Sequence, residues 1–155
     1  MPIIPEQPLR IMVAGCGAMS HTWIKYALAR SDCRVVGLVD LNPETARQAA
    51  VQFGLADAVA GHDLRAVIRE THANLVFNLA VPAAHRQIAL TAFGEGCAVM
   101  SEKPLAADLA EADEMIAAAS RANLSFSIMQ NRRYLRQIRA FRQLAADGVI
   151  GTPGY

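Results

Sequence analysis

Residues 15–20, Gly-Cys-Gly-Ala-Met-Ser, have the types and spacing that hold a phosphate. They follow an apolar run and open a helical pattern. A glycine at the first position permits a tight turn. A second lets backbone approach a pyrophosphate, and the helix start beyond it offers free N–H groups and the positive end of a dipole. The third position of the pattern is Ser20, small enough to keep helix and strand close but a departure from the usual Gly or Ala. Asp40 stands 25 positions after Gly15, at the end of the next apolar run. An acid there can accept hydrogen bonds from the hydroxyls of an adenosine ribose and would repel a 2′-phosphate. No arginine follows at 41 or 42 to receive such a phosphate. The expected ligand is therefore a dinucleotide, with NAD favoured over NADP.

These residues need strands and helices to place them. Apolar strands are predicted at Leu9–Ala14, Arg34–Val39, Ala56–Ala60, Leu75–Val81, Ala98–Ser101 and Leu124–Met129, with Pro82 ending the fourth. Helical patterns fall between them, at Ser20–Arg30, from Pro43 to Gly54, at His62–Thr71, up to Gly94, and at Ala107–Ala122. A last one runs over Arg132–Ala146, with Leu135, Ile138 and Phe141 on one side. Asn42-Pro43-Glu44 marks a helix start: a capping side chain, a proline where its missing N–H costs nothing, and an acid in the first turn. Strand–helix alternation with short apolar strands predicts an α/β fold with a doubly wound parallel sheet, covered on both faces.

Composition narrows the function further. The 155 residues suit one full core, and a formal net charge of +1 speaks against a nucleic-acid or membrane-surface binder. Alanine supplies 29 positions, so the apolar excess comes mostly from small side chains. Cys16, Cys33 and Cys97 form no CxxC pair, and no histidines stand at metal-ligand spacing; neither a disulfide framework nor a metal site is expected. The start, MPIIPEQPLR, lacks the basic and apolar stretches of a secretion signal, and no run approaches a membrane span. A cytoplasmic location is the resulting expectation.

Three further segments make the pattern specific: Val81-Pro82-Ala83-Ala84-His85, Ser101-Glu102-Lys103-Pro104-Leu105, and Gln130-Asn131-Arg132-Arg133-Tyr134. In this succession, and above all in the Glu-Lys-Pro tripeptide, the chain resembles the Gfo/Idh/MocA oxidoreductases from Leu9 to Gly151. That resemblance implies a Rossmann domain over residues 1–130. Residues 131–155 would be a helix and turn leading toward a C-terminal substrate domain absent from this chain. It implies an NAD(P)-dependent enzyme acting on a hydroxyl or carbonyl carbon of a sugar, inositol or related polyol, inactive without its second domain and compatible with a homo-oligomer. It also implies roles. Gly15, Gly17, Ala18 and Met19 would line the pyrophosphate, and Asp40 would hold the ribose. Ala80, Val81, Pro82 and His85 would pass near the nicotinamide-side ribose. Glu102 and Lys103 would stand at the nicotinamide end, with Lys103 catalytic and Lys103-Pro104 a candidate cis peptide.

The remaining residues have plainer readings. His62 and His72 read as loop residues, His21 as a cap-region histidine, Cys16 as a buried inert thiol and Trp23 as packing. Arg132, Arg133, Arg136, Arg139 and Arg142 form a basic stripe, read as a solvated face, or as one that meets the absent domain or an anionic substrate. The alternative to an enzyme is a non-catalytic module that senses NAD(H) or docks a partner.

Overall fold

The computed structural model describes residues 8–152 and Gly154. Most of the stretch before Leu9, and Pro153 and Tyr155 of the terminal turn, lie outside the described residues. Six strands alternate with helices: β1 (Leu9–Ala14), α1 (Ala18–Leu28), β2 (Cys33–Val39), α2 (Pro43–Gln52), β3 (Val59–Gly61), α3 (Leu64–Thr71), β4 (Leu75–Asn78), α4 (Pro82–Gly94), β5 (Ala98–Ser101), α5 (Leu109–Arg121) and β6 (Phe126–Ile128). A short 3-10 helix (Asn131–Tyr134) and α6 (Arg136–Ala146) follow.

The strands form one sheet in the order β3-β2-β1-β4-β5-β6, and every pairing is parallel. Alternation along each strand feeds two cores. Ile11, Val13, Leu75 and Phe77 face one side, where Ile24 and Ala27 of α1 and Ala46 and Ala49 of α2 cover them. Met12, Ala14, Val76 and Val99 face the other, under Val67 and Ile68 of α3, Phe93 of α4 and Met115 of α5. Small alanines on the helices let them lie close to the sheet, which is where the alanine-rich composition goes. The winding reverses between β1 and β4, so their carboxyl ends diverge into a crevice.

Local chemistry sets the helix starts. The Asn42 side chain accepts the Glu44 N–H at 3.0 Å, with Pro43 in the first turn. Asp108 caps α5 by accepting the Glu111 N–H at 2.9 Å, while Glu111 reaches back to the Ala107 N–H at 3.2 Å. Gly54 closes the second helix region at φ +65°.

Some expected bounds are corrected. The fourth strand ends at Asn78 rather than Val81, and Pro82 begins a helix rather than ending a strand. Residues 79–81 form the turn at the crevice, where ladder bonds would have closed it. The third strand is Val59–Gly61, and Asp63 caps α3, accepting the Ala66 N–H, so that helix starts at Leu64 and not at His62. The final helical region is broken at Leu135, whose φ −63°, ψ 136° is extended. Beyond the break, α6 has no buried residue, and Ile138, Phe141 and Leu144 are all exposed.

Candidate functional site: a cleft at the carboxyl ends of the strands

A cleft of about 560 Å³ opens at the crevice. Its walls include Gly15, Gly17, Ala18 and Met19 from the β1–α1 turn, Asp40 from the end of β2, and Ala80 and Val81 from the turn after β4. Seven of the residues expected to meet the cofactor thus converge on one cavity. Pro82, His85, Glu102 and Lys103 are not in its wall; they occupy the adjoining start of α4 and the segment after β5.

The glycine turn is held from three sides. Gly15 sits at φ +94°, and a Cβ built there would come within 2.6 Å of the Ala80 N and 2.7 Å of its Cα, so no side chain fits between the turns. Its N–H donates to the Val39 carbonyl at 2.9 Å. Gly17 faces open space, with nothing within 4 Å of where its Cβ would stand. It begins α1 without a side-chain cap, as Val81 begins α4, so two helix starts at the cleft leave backbone N–H groups for a ligand. Ser20 is buried, and its hydroxyl turns back to the Gly17 carbonyl at 2.7 Å, which satisfies it without intruding on the cleft.

Asp40 is oriented by backbone. Its Oδ2 accepts the Cys16 N–H at 2.9 Å and its Oδ1 the Asn42 N–H at 3.0 Å. Burial, with the Asp40 charge nearby, pushes the Cys16 thiol up to about 12, so it stays neutral beside the phosphate loop. The donor set fits a dinucleotide: uncapped N–H groups for phosphates, a positioned acid for a ribose, and apolar walls from Leu41, Leu64, Leu79 and Ile88.

The second set of residues forms a support beside the cleft. His85 is fully buried, with Nδ1 2.9 Å from the Pro104 carbonyl and Nε2 3.1 Å from that of Ala80. It therefore links the turn after β4 to the segment after β5. The Asn78 side chain donates to the His85 carbonyl at 2.9 Å. Glu102 is 7% exposed, its Oε1 accepting the Trp23 indole N–H at 2.8 Å. Lys103 is exposed, and its bond to Pro104 is cis.

Two residues prove less ordinary than their sequence context suggests. His62, read as a loop residue, lines the cleft beside Asp40 and Leu41; its place just past a strand's carboxyl end was the available signal. Trp23 packs edge-on against Phe77 but also binds Glu102, a pairing across 79 positions that no local pattern announces. His21 packs against Phe53. Among the described residues there is no cluster of metal-ligating side chains, and no helix is long and apolar enough to cross a membrane.

A parallel sheet with this strand order, and a glycine turn and acid at its switch point, define a nucleotide-binding Rossmann domain. Residues 9–130 match the Gfo/Idh/MocA oxidoreductase family, NAD-binding Rossmann fold, and the chain belongs to that family. It is 34% identical over 151 residues to an inositol 2-dehydrogenase from Ralstonia nicotianae, covering 94% of this chain and 43% of that protein. It is 30% identical over 139 residues to a D-apiose dehydrogenase from Paraburkholderia graminis, covering 90% and 36%. A myo-inositol dehydrogenase from Lactobacillus casei, solved in complex with NAD(H) and myo-inositol, superposes with a TM-score of 0.81 at 26% identity, over 94% of this chain and 43% of that one. The chain thus spans less than half the length of these relatives.

Proposed function

We propose that this chain is the cofactor-binding part of an NAD-dependent dehydrogenase acting on a hydroxyl or carbonyl carbon of a sugar, inositol or related polyol. The observation that carries the reading is Asp40, an acid held by two backbone N–H groups in the wall of the cleft. With its remaining lone pairs it accepts the ribose hydroxyls of NAD and disfavours a 2′-phosphate. The family and its inositol and sugar dehydrogenases support the reaction class.

Bound NAD supplies the hydride acceptor. The chain's own residues bind and orient it: Gly15, Gly17, Ala18 and Met19 at the uncapped start of α1 face its phosphates, and Ala80, Val81 and Pro82 border its nicotinamide-side ribose. Lys103 is the catalytic group. Its ammonium orients the substrate hydroxyl and stabilises negative charge developing on that oxygen. Residues 1–130 form the dinucleotide domain, and residues 131–155 lead toward a substrate domain. The exposed apolar face of α6, with Ile138, Phe141 and Leu144, suits a face that packs there.

Calorimetric titration of the chain with NAD, NADH, NADP and NADPH tests the reading. Binding that prefers the unphosphorylated pair is expected. Binding that prefers the phosphorylated pair overturns the assignment of Asp40, and heat from none of the four overturns the cofactor reading for this chain.

A further inference from the structure

The Glu102 carboxylate is an unusual group for its place. It is 7% exposed, and it takes part in none of the ion pairs formed among the described residues. A buried carboxylate is costly unless donors replace its water. Here they are few. The Trp23 indole N–H reaches Oε1 at 2.8 Å, and the backbone N–H of Lys103 reaches Oε2 at 3.2 Å. The second donor belongs to the next residue, so Trp23 supplies the hydrogen bond that ties this carboxylate to another part of the fold. A bond to a charged acceptor is also stronger than a neutral one.

Position gives that bond its consequence. Trp23 lies on α1, the helix whose first turn faces the cleft, and is anchored there by edge contact with Phe77 of β4 at 6.1 Å between ring centres. Glu102 immediately precedes Lys103, and its own N–H is fixed to the Asn78 carbonyl at 2.9 Å. From the far side, His85 holds the Pro104 carbonyl. Lys103 therefore stands between two fixed neighbours, and the side-chain tie from the cofactor helix to that segment is the indole.

We infer that Trp23 is a positioning residue for Lys103, acting through Glu102: its N–H keeps the carboxylate buried beneath α1 and so keeps it away from the Lys103 amine. The inference rests on the reading of Lys103 as the group at the cofactor's reacting end. Without the indole donor, the carboxylate leaves its buried site for water. There it pairs with the neighbouring ammonium, which is then engaged rather than free to meet a substrate oxygen.

Lys25 and Lys103 are the only lysines in the chain, so acylation of each is resolved by mass spectrometry and Lys25 is an internal reference. Trp23→Phe keeps the ring and removes the donor; it is expected to slow Lys103 acylation relative to Lys25 by about threefold, the scale on which an exposed ion pair holds an amine. Phe77→Leu removes the ring contact and keeps the donor; it is expected to lower thermal stability and leave the acylation ratio unchanged. An unchanged ratio in Trp23→Phe, or an equal fall in Phe77→Leu, overturns the inference.

A second measurement needs no change at Trp23, the sole tryptophan. Its indole N–H proton resonance is expected to move upfield in Glu102→Gln, where a neutral oxygen replaces a charged acceptor; a resonance that stays in place overturns the inference. Protection of wild-type Lys103 by saturating NADH tests the underlying reading separately, because that protection can fail while the Trp23 effect persists.

Discussion

The Asp40 Oδ2 accepts the Cys16 backbone N–H at 2.9 Å, so the acid at the end of β2 and the glycine turn after β1 are one hydrogen-bonded unit. The acid proposed to hold a ribose thereby also orders the loop proposed to hold phosphate. A substitution there affects both.

Asp40→Ala is expected to weaken NAD binding by about tenfold or more, or about 1.4 kcal/mol, and to shrink the preference over NADP. The ribose loses its acceptor, and the Cys16 and Asn42 N–H groups lose theirs. Titration of both cofactors checks this. A preference that survives unaltered would place ribose recognition elsewhere in the cleft.

Gly15 and Gly17 should separate folding from binding. Gly15→Ala drives a Cβ into the Ala80 backbone at a positive φ, and a loss of about 2 kcal/mol or more is expected in urea unfolding. Gly17→Ala meets nothing within 4 Å, so stability should stay within about 0.5 kcal/mol. Its methyl group enters the approach to the pyrophosphate, and NADH affinity should fall. A destabilised Gly17→Ala with intact binding would contradict the placement of the phosphates.

His85→Leu removes the ring that stands between the carbonyls of Ala80 and Pro104 and takes its N–H from them. Loss of such a hydrogen bond costs about 1 kcal/mol. The expected signature is a lower urea midpoint together with faster amide exchange in residues 101–106. Normal exchange there would mean that the histidine fills space without linking the two segments.

The thiols carry a pH dependence. Burial raises Cys16 to about 12 and Cys97 to about 11, from an ordinary value of 9.0. The folded state then holds protons that the unfolded chain releases. Their contribution to stability is complete below about pH 9 and is lost as pH rises toward 11–12, at up to about 1.4 kcal/mol per pH unit per thiol. Cys16→Ser should flatten that alkaline slope. At pH 8, iodoacetamide should modify the partly exposed Cys33 well before the other two; rapid loss of Cys16 would show that the phosphate loop opens.

Much of the fold was legible because its signals are local. Strand-length apolar runs and the Asn42-Pro43 start each involve residues within a few positions, and six strands and the start of α2 formed where these signals stand. The bounds that slipped lie where tertiary contacts decide. Residues 79–81 are apolar enough for a strand, yet after Leu79, whose N–H still meets the Ala14 carbonyl at 2.8 Å, the chain turns away from its neighbours β1 and β5. Leu135, Ile138 and Phe141 have helical spacing, but the spacing alone does not say that α6 stays uncovered in this chain.

The site divides in the same way. The order of elements and the spacing from Gly15 to Asp40 determined where a dinucleotide would lie, because a right-handed parallel winding puts those residues at one crevice. Sequence alone also marked Glu102 and Lys103, through the resemblance to a family. Only the tertiary structure decided how the side chains are placed. It turned His85 and Glu102 inward, brought His62 into the cleft wall, and gave Trp23 a charged partner 79 positions away. Hydrogen bonds between distant segments depend on how helices settle on the sheet, and no periodicity in the chain encodes that.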